Sequence, residues 1–192
     1  MPVWIGRKDN MAIKTLNIKN KELNDLLLPL VNARTIEDIK VKLSRIESLD
    51  KNVRKALSRS LLIRHLDAGS CNAEEAELLA LSNPIYDLTR FGIDFTASPR
   101  HADVLTVSGP VTRHLKIAME KTYNAMPFPK IVIAVGDGAC NGSIYEKTYA
   151  CLGKVDQFLP VDLYIEGDPP TPEEILKGFL ICKLVLAGNI AK

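Results

Sequence analysis

Lys130-Ile131-Val132-Ile133-Ala134-Val135-Gly136-Asp137-Gly138 decides the fold class of this chain of 192 residues. The run Ile131–Val135 is almost wholly β-branched and shows no polar alternation. Such a run reads as a strand buried on both faces, and strands of that kind belong to parallel sheets covered by helices. The glycines from Gly136 to Gly142 then read as a tight turn leaving the strand. Working outward, Leu61–Leu66, Ile93–Thr96, Val104–Val107 and Val161–Ile165 are further strand candidates. Helices are expected over Ala73–Leu81, over Val111–Tyr123 after Gly109-Pro110, and near Ser143–Cys151. A last helix opens at Thr171-Pro172-Glu173-Glu174, with Thr171 as N-cap and Pro172 at the first helical position. Strands alternating with helices imply an α/β, flavodoxin-like, doubly wound parallel sheet in three layers over residues 59–192.

The first 58 residues are expected to form a separate N-terminal helical extension. Ile36, Ile39, Leu43, Ile46, Val53 and Leu57 recur at helical spacing, with Lys and Glu between them, and Thr35 is a plausible N-cap with Asp38 three positions on. Leu23, Leu26, Leu27, Leu30 and Val31 form a shorter amphipathic stretch interrupted by Pro29. The apolar stripe needs a cover, which is either the chain's own domain or a neighbouring subunit. Lys and Arg concentrate in residues 40–64 and read as a solvated helix face, or alternatively as a docking surface for an acidic partner.

Composition bounds the function. A net charge of +2 is too close to balance to argue for nucleic acid. No apolar run approaches the roughly 18–20 residues that span a bilayer, and the N-terminus lacks the pattern of a secretory signal. A cytoplasmic location is expected. Cys71, Cys140, Cys151 and Cys182 form no C-x-x-C pair, so neither a zinc ribbon nor a ferredoxin run is present, and free thiols are expected. His65, His101 and His114 have no metal-like spacing. The Gly136–Gly142 loop lacks a Gly-Lys-Ser/Thr ending and argues against nucleotide binding. No serine elbow or Cys–His pair supports a hydrolase.

In doubly wound sheets, ligands sit beyond the carboxyl ends of the strands. Three loops leave such ends here, Asp67–Asn72, Gly136–Gly142 and Glu166–Pro170, and all are expected to converge on one site. Three segments carry a family resemblance: Arg59-Ser60-Leu61-Leu62-Ile63-Arg64-His65-Leu66-Asp67-Ala68-Gly69-Ser70-Cys71-Asn72, Ser98-Pro99-Arg100-His101-Ala102-Asp103, and Val107-Ser108-Gly109-Pro110-Val111-Thr112. They resemble the small, iron–sulfur subunit of membrane-bound energy-converting nickel–iron hydrogenases and the equivalent subunit of respiratory complex I. The resemblance covers roughly residues 59–182. It implies a site where four cysteines hold one [4Fe–4S] cluster. The matching positions in this chain are Cys71, Glu74, Gly138 and Asp168, so three of the four family ligands are replaced. Cys140 stands two residues beyond Gly138 and substitutes only if the loop shifts. The resemblance also places Arg100 and His101 near the site, where they would tune a cluster or contact the catalytic subunit.

Iron in such a cluster is held by soft thiolates. One cysteine with two carboxylates is a poor substitute, although a cluster on Cys71, Cys140 and a carboxylate can be drawn. Glu74 and Asp168 are hard oxygen donors of the kind Mg²⁺ prefers, but no spacing supports that ion. Without metal they are expected to pair with Arg64, His65 or Arg100, or, if buried unpaired, to have raised pKa values. The missing cysteines favour a structural or coupling subunit with no cofactor. The alternative is an electron-transfer subunit with a [4Fe–4S] cluster on unusual ligands. Both readings make the chain a non-catalytic part of an oxidoreductase complex of hydrogenase or NADH–quinone type. It would be peripheral on the cytoplasmic side of the membrane, beside a homologue of the hydrogenase large subunit and the membrane arm. A lone flavodoxin-like binding protein is a third option.

Overall fold

A computed structural model describes residues 60–146 and 148–187, with the side chains of 184–187 left aside. The expectations for the N-terminal stripe, for Thr35 and for the Leu23–Val31 stretch lie outside the described residues. Five parallel strands form the main sheet: β1 (Leu61–Asp67), β2 (Ile93–Phe95), β3 (Val104–Ser108), β5 (Ile131–Val135) and β7 (Leu163–Ile165). Their order across the sheet is β2-β1-β3-β5-β7. That is the flavodoxin-like arrangement, with its topological switch between β1 and β3. The register runs Ile63 opposite Val104 to Asp67 opposite Ser108, and Val104 opposite Ile131 to Ser108 opposite Val135. The carboxyl ends of the three central strands are therefore level. All five residues of β3 and all five of β5 are buried, as the unbroken apolar run requires.

Helices cover both faces. α1 (Ala73–Ala80) and α4 (Pro172–Ala187) pack on one side, where Leu78, Leu81, Ile175, Leu176 and Phe179 meet Leu61, Ile63, Val104 and Ile133. α2 (Lys116–Ala125) and the short α3 (Asp137–Asn141) lie on the other, where Met119 and Ala139 meet Leu105, Val107, Val132 and Ala134. Gly178 lets α4 approach β7 closely, since a Cβ there would stand 2.4 Å from Ile165 Cδ1. Thr171 caps α4 through reciprocal bonds with Glu174, whose Oε2 accepts from the Thr171 backbone N–H at 2.8 Å and from its hydroxyl at 2.9 Å.

Two expected helices differ from the structure. The helix expected over Val111–Tyr123 begins only at Lys116. Its first residues form β4 (Val111–Thr112), antiparallel to β6 (Cys151–Gly153) in a small second sheet. Val111 is fully buried and Thr112 N–H donates to Ala68 O at 2.8 Å, so tertiary pairing overrides the helical pattern. The helix expected near Ser143–Cys151 is not found among the described residues. Helix follows Gly136 at once and stops at Gly142, whose φ of 89° is left-handed. Only a 3₁₀ turn, Ser143–Tyr145, follows before β6.

Candidate functional site at the sheet's carboxyl edge

β1 ends on Asp67, whose Oδ1 accepts the backbone N–H groups of Gly69 at 2.6 Å and Ser70 at 2.7 Å. This folds the first loop back on itself before α1. Gly69 is needed there: its φ is 138°, and a Cβ would stand 2.3 Å from Thr112 Cγ2. The β4–β6 ribbon thus straps across the loop. The second loop crosses at Gly136, and Gly167 N–H donates to Asp137 Oδ1 at 2.8 Å, tying the third loop to the second. The three loops meet, as their places after β1, β5 and β7 require.

They enclose a cavity of about 260 Å³ lined by Gly69, Ser70, Cys71, Glu74, Pro110, Gly138, Ser143, Tyr145, Cys151 and Asp168. All four positions singled out by the family motif line it. Cys71 and Asp168 are exposed, and Gly138 is buried. Glu74 is only 3% exposed, and its Oε2 has no hydrogen-bond partner among the described residues. Burial pushes the Glu74 carboxyl up from the usual carboxylate range, and the nearby charges of Glu75, Asp168 and Asp67 push the same way against a hydrogen bond from its own backbone N–H. The expected pairing with a cation is not found for Glu74. His65 pairs with Glu75 instead, Nε2 to Oε1 at 3.3 Å. Arg100 and His101 lie exposed on a 3₁₀ turn and do not line this cavity.

Cys140 is not among the lining residues either. Its thiol is buried on the sheet side, 3.7 Å from Ala134 O and 3.6 Å from Ile165 O. The second cysteine at the cavity is Cys151, brought there by the pairing of β6 with β4 opposite Thr112. Sequence reasoning missed it, because that ribbon pairing is non-local and carries no motif.

The donor set does not fit a [4Fe–4S] cluster, which takes thiolates on its irons. The cavity offers two thiols on different elements, one carboxyl with a raised pKa and one exposed carboxylate. Gly138 offers no donor, and there is no room for one: a Cβ at Gly138 would stand 2.8 Å from Pro110 Cδ and 3.0 Å from Gly109 Cα. Among the described residues, no three His, Cys, Asp or Glu side chains are grouped so as to hold a metal ion.

Next to the cavity, Glu75 organises a second polar cluster. Its Oε2 accepts the Ser70 hydroxyl at 2.5 Å, and its Oε1 accepts the Ser108 hydroxyl. His65 Nδ1 lies 3.2 Å from Thr106 Oγ1. Burial raises the Glu75 pKa, but the hydrogen bonds from Ser108, Ser70 and its own backbone N–H outweigh it, so the carboxyl sits below its usual value. Burial holds the His65 imidazole below its usual value, against the pull of Glu75 and Asp67.

The sequence profile of the NADH ubiquinone oxidoreductase 20 kDa subunit family matches residues 71–181. The chain is 38% identical over 146 residues to a probable membrane-bound hydrogenase subunit of Pyrococcus furiosus, a match spanning 76% of this chain and 87% of that one. It is 40% identical over 145 residues to formate hydrogenlyase subunit 7 of Escherichia coli, spanning 76% of this chain and 57% of the relative. Among solved structures, a chain of the membrane-bound sulfane sulfur reductase, an archaeal respiratory membrane complex, superposes with a TM-score of 0.64 at 32% identity, covering 75% of this chain and 80% of that one. Profile, relatives and superposition agree with the fold and with the motif segments, and the chain belongs to the family of the 20 kDa subunit of NADH ubiquinone oxidoreductase.

Proposed function

We propose that the chain is a structural or coupling subunit of a membrane-associated, complex-I-like or hydrogenase-like oxidoreductase, and that it has lost the [4Fe–4S] cluster. The observation that carries the loss is Gly138, whose missing side chain is the space that Pro110 and Gly109 occupy. A fold without its metal still presents its surface. Ile144, Tyr145 and Tyr149 are 84%, 49% and 90% exposed on the segment that runs past the cavity. Large exposed apolar side chains grouped on one segment mark a contact surface. In this reading they meet a homologue of the hydrogenase large subunit, and Arg100 and His101 belong to the same side of the contact. Among the described residues no helix is long and apolar enough to cross a membrane. The chain would attach from the cytoplasmic side through its partners.

A second reading, electron transfer through a cluster on unusual ligands, is favoured by one observation: Cys71 and Cys151 line the same cavity. Affinity capture of the tagged chain from its own membranes, under anaerobic conditions, tests the assignment to a complex. A large-subunit homologue recovered in equal amount supports it. A chain recovered alone from both membrane and soluble fractions contradicts it.

A further inference from the structure

The cavity that does not fit a cluster still holds two thiols. Cys71 and Cys151 both line it, one on the first loop and one at the start of β6. The β4–β6 ribbon brings them to the same place. Cys151 is the register partner of Thr112, and antiparallel partners stand about 4.5–5.5 Å apart at Cα. Thr112 in turn lies on the first loop: its N–H donates to Ala68 O at 2.8 Å, and its Cγ2 fills the space beside Gly69. Cys151 thus reaches the first loop through one residue, and Cys71 stands two residues beyond Gly69 on that loop. The other cysteines are turned away. Cys140 Sγ lies 3.7 Å from Ala134 O and 3.6 Å from Ile165 O. Cys182 is buried in the core between α4 and the sheet.

We propose that Cys71 and Cys151 form a reversible disulfide across this cavity, with a small-molecule disulfide of the glutathione type as the oxidant. The inference rests on the cluster loss proposed above, since a sulfur bound to iron is not free to oxidise. Cys71 is exposed and takes the first step. Its sulfur attacks the small disulfide, one small thiol leaves, and Cys71 carries the other half as a mixed disulfide. Cys151 is half-buried at the cavity wall and takes the second step. Its sulfur attacks the Cys71 sulfur, and the second small thiol leaves. Two protein S–H bonds and one small S–S bond are lost, while one protein S–S bond and two small S–H bonds are formed. The protein gives up two electrons and two protons, and the small disulfide takes up both.

The cavity suits a disulfide where it does not suit a cluster. A disulfide needs two sulfurs and no further donor, so the empty position at Gly138 costs it nothing. It does need the two Cα atoms within about 4.4–6.8 Å. Any movement this requires falls on Cys71, which is exposed at the junction of the first loop and α1, beside Asn72 with its left-handed φ of 71°. The consequence falls on the contact surface. Tyr145 lines the same cavity, and Tyr149, which is 90% exposed, stands two residues before Cys151. The bond ties the end of that segment to the first loop and closes a ring of about 80 residues.

The test uses the full-length chain, purified anaerobically and assayed for iron. It is equilibrated in glutathione buffers from fully reduced to fully oxidised, quenched in acid, then unfolded, alkylated and mapped by mass spectrometry. In the reduced buffer all four cysteines should be alkylated. In the oxidised buffer only Cys140 and Cys182 should be alkylated, with one linked peptide pair carrying Cys71 and Cys151 that dithiothreitol separates. Cys151→Ser removes the second sulfur and is expected to leave a glutathione adduct on Cys71 about tenfold or more above the wild-type amount. If that variant does not fold, the wild-type peptide map decides alone. An iron-free chain that keeps all four thiols in the oxidised buffer, ends as a glutathione adduct on Cys71, or links Cys140 or Cys182 instead overturns the disulfide and leaves the cluster loss intact. Iron held by the purified chain, with Cys71 protected until that iron is chelated, overturns the cluster loss and the disulfide with it.

Discussion

Gly136, where the second loop leaves β5, and Glu74, in the first turn of α1, touch so closely that a Cβ on the glycine would stand 2.6 Å from Glu74 Oε1 and 2.8 Å from its Cγ. The residue in the family's second ligand position is thus packed against the backbone of the loop that carries the third. Gly136 has a φ of 85°, where an L side chain is also strained. Gly136→Ala is expected to destabilise the chain by about 1–3 kcal/mol, from crowding and backbone strain together. Urea unfolding of the full chain measures it, and an unchanged midpoint would show that Glu74 is free to move away.

Glu74 makes stability depend on pH in a definite direction. Its folded pKa is raised above the ordinary 4.5, so the folded state holds its proton more tightly than the unfolded state. The stability this gives is full below pH 4.5 and is lost as pH rises through the raised value. Glu74→Gln removes the ionisation and keeps the shape. It is expected to raise the unfolding free energy at pH 7 to 8 by on the order of 1–3 kcal/mol, which is the cost of an unsatisfied buried polar group, and to raise the melting temperature accordingly. The difference should vanish in acid. A variant less stable than wild type at neutral pH would mean that the ionised carboxylate has a partner.

Restoring the cysteine at the third family position is expected to harm rather than help. Gly138→Cys drives its Cβ into Pro110 Cδ and Gly109 Cα, a ring and a backbone that do not yield easily. A loss of about 1–3 kcal/mol is predicted, as for other overpacked core sites. Thermal unfolding in the absence of iron reads it directly.

The four thiols should separate by reactivity. Cys71 is exposed, Cys151 is half-buried, and Cys140 and Cys182 are buried. Burial pushes the Cys182 thiol up to about 12. With a charged alkylating agent at neutral pH, Cys71 should be modified first, Cys151 more slowly, and the other two only after unfolding. Mass spectrometry of timed samples assigns each site. Protection of Cys71 in the native chain would show that something covers or ligates it.

The sheet was readable in the sequence because its signal is local. Ile131–Val135 is apolar without a break, and Leu61, Ile93, Val104 and Val161 each open a shorter stretch in which apolar residues are interrupted by polar ones. The convergence of the first, second and third loops followed from chain order alone, and the motif residues Cys71, Glu74, Gly138 and Asp168 indeed line one cavity. The β4–β6 ribbon was not readable. Val111-Thr112 and Cys151-Leu152-Gly153 are too short to show a period, and their pairing depends on Gly69 letting Thr112 lie against the first loop. Cys151 was missed for that reason. The partnership of His65 with Glu75 rather than Glu74 was hidden too, since one residue along α1 turns a side chain by about 100°.

The central claim is that this member of an iron–sulfur subunit family carries no cluster. Iron and acid-labile sulfide are counted on the anaerobically purified complex before and after this chain alone is dissociated from it. The account predicts no change in either count and a colourless released chain. A loss of about four irons and four sulfides with this chain, as one [4Fe–4S] cluster contains, would contradict it and assign Cys71, with Cys151 or a carboxylate, as ligands.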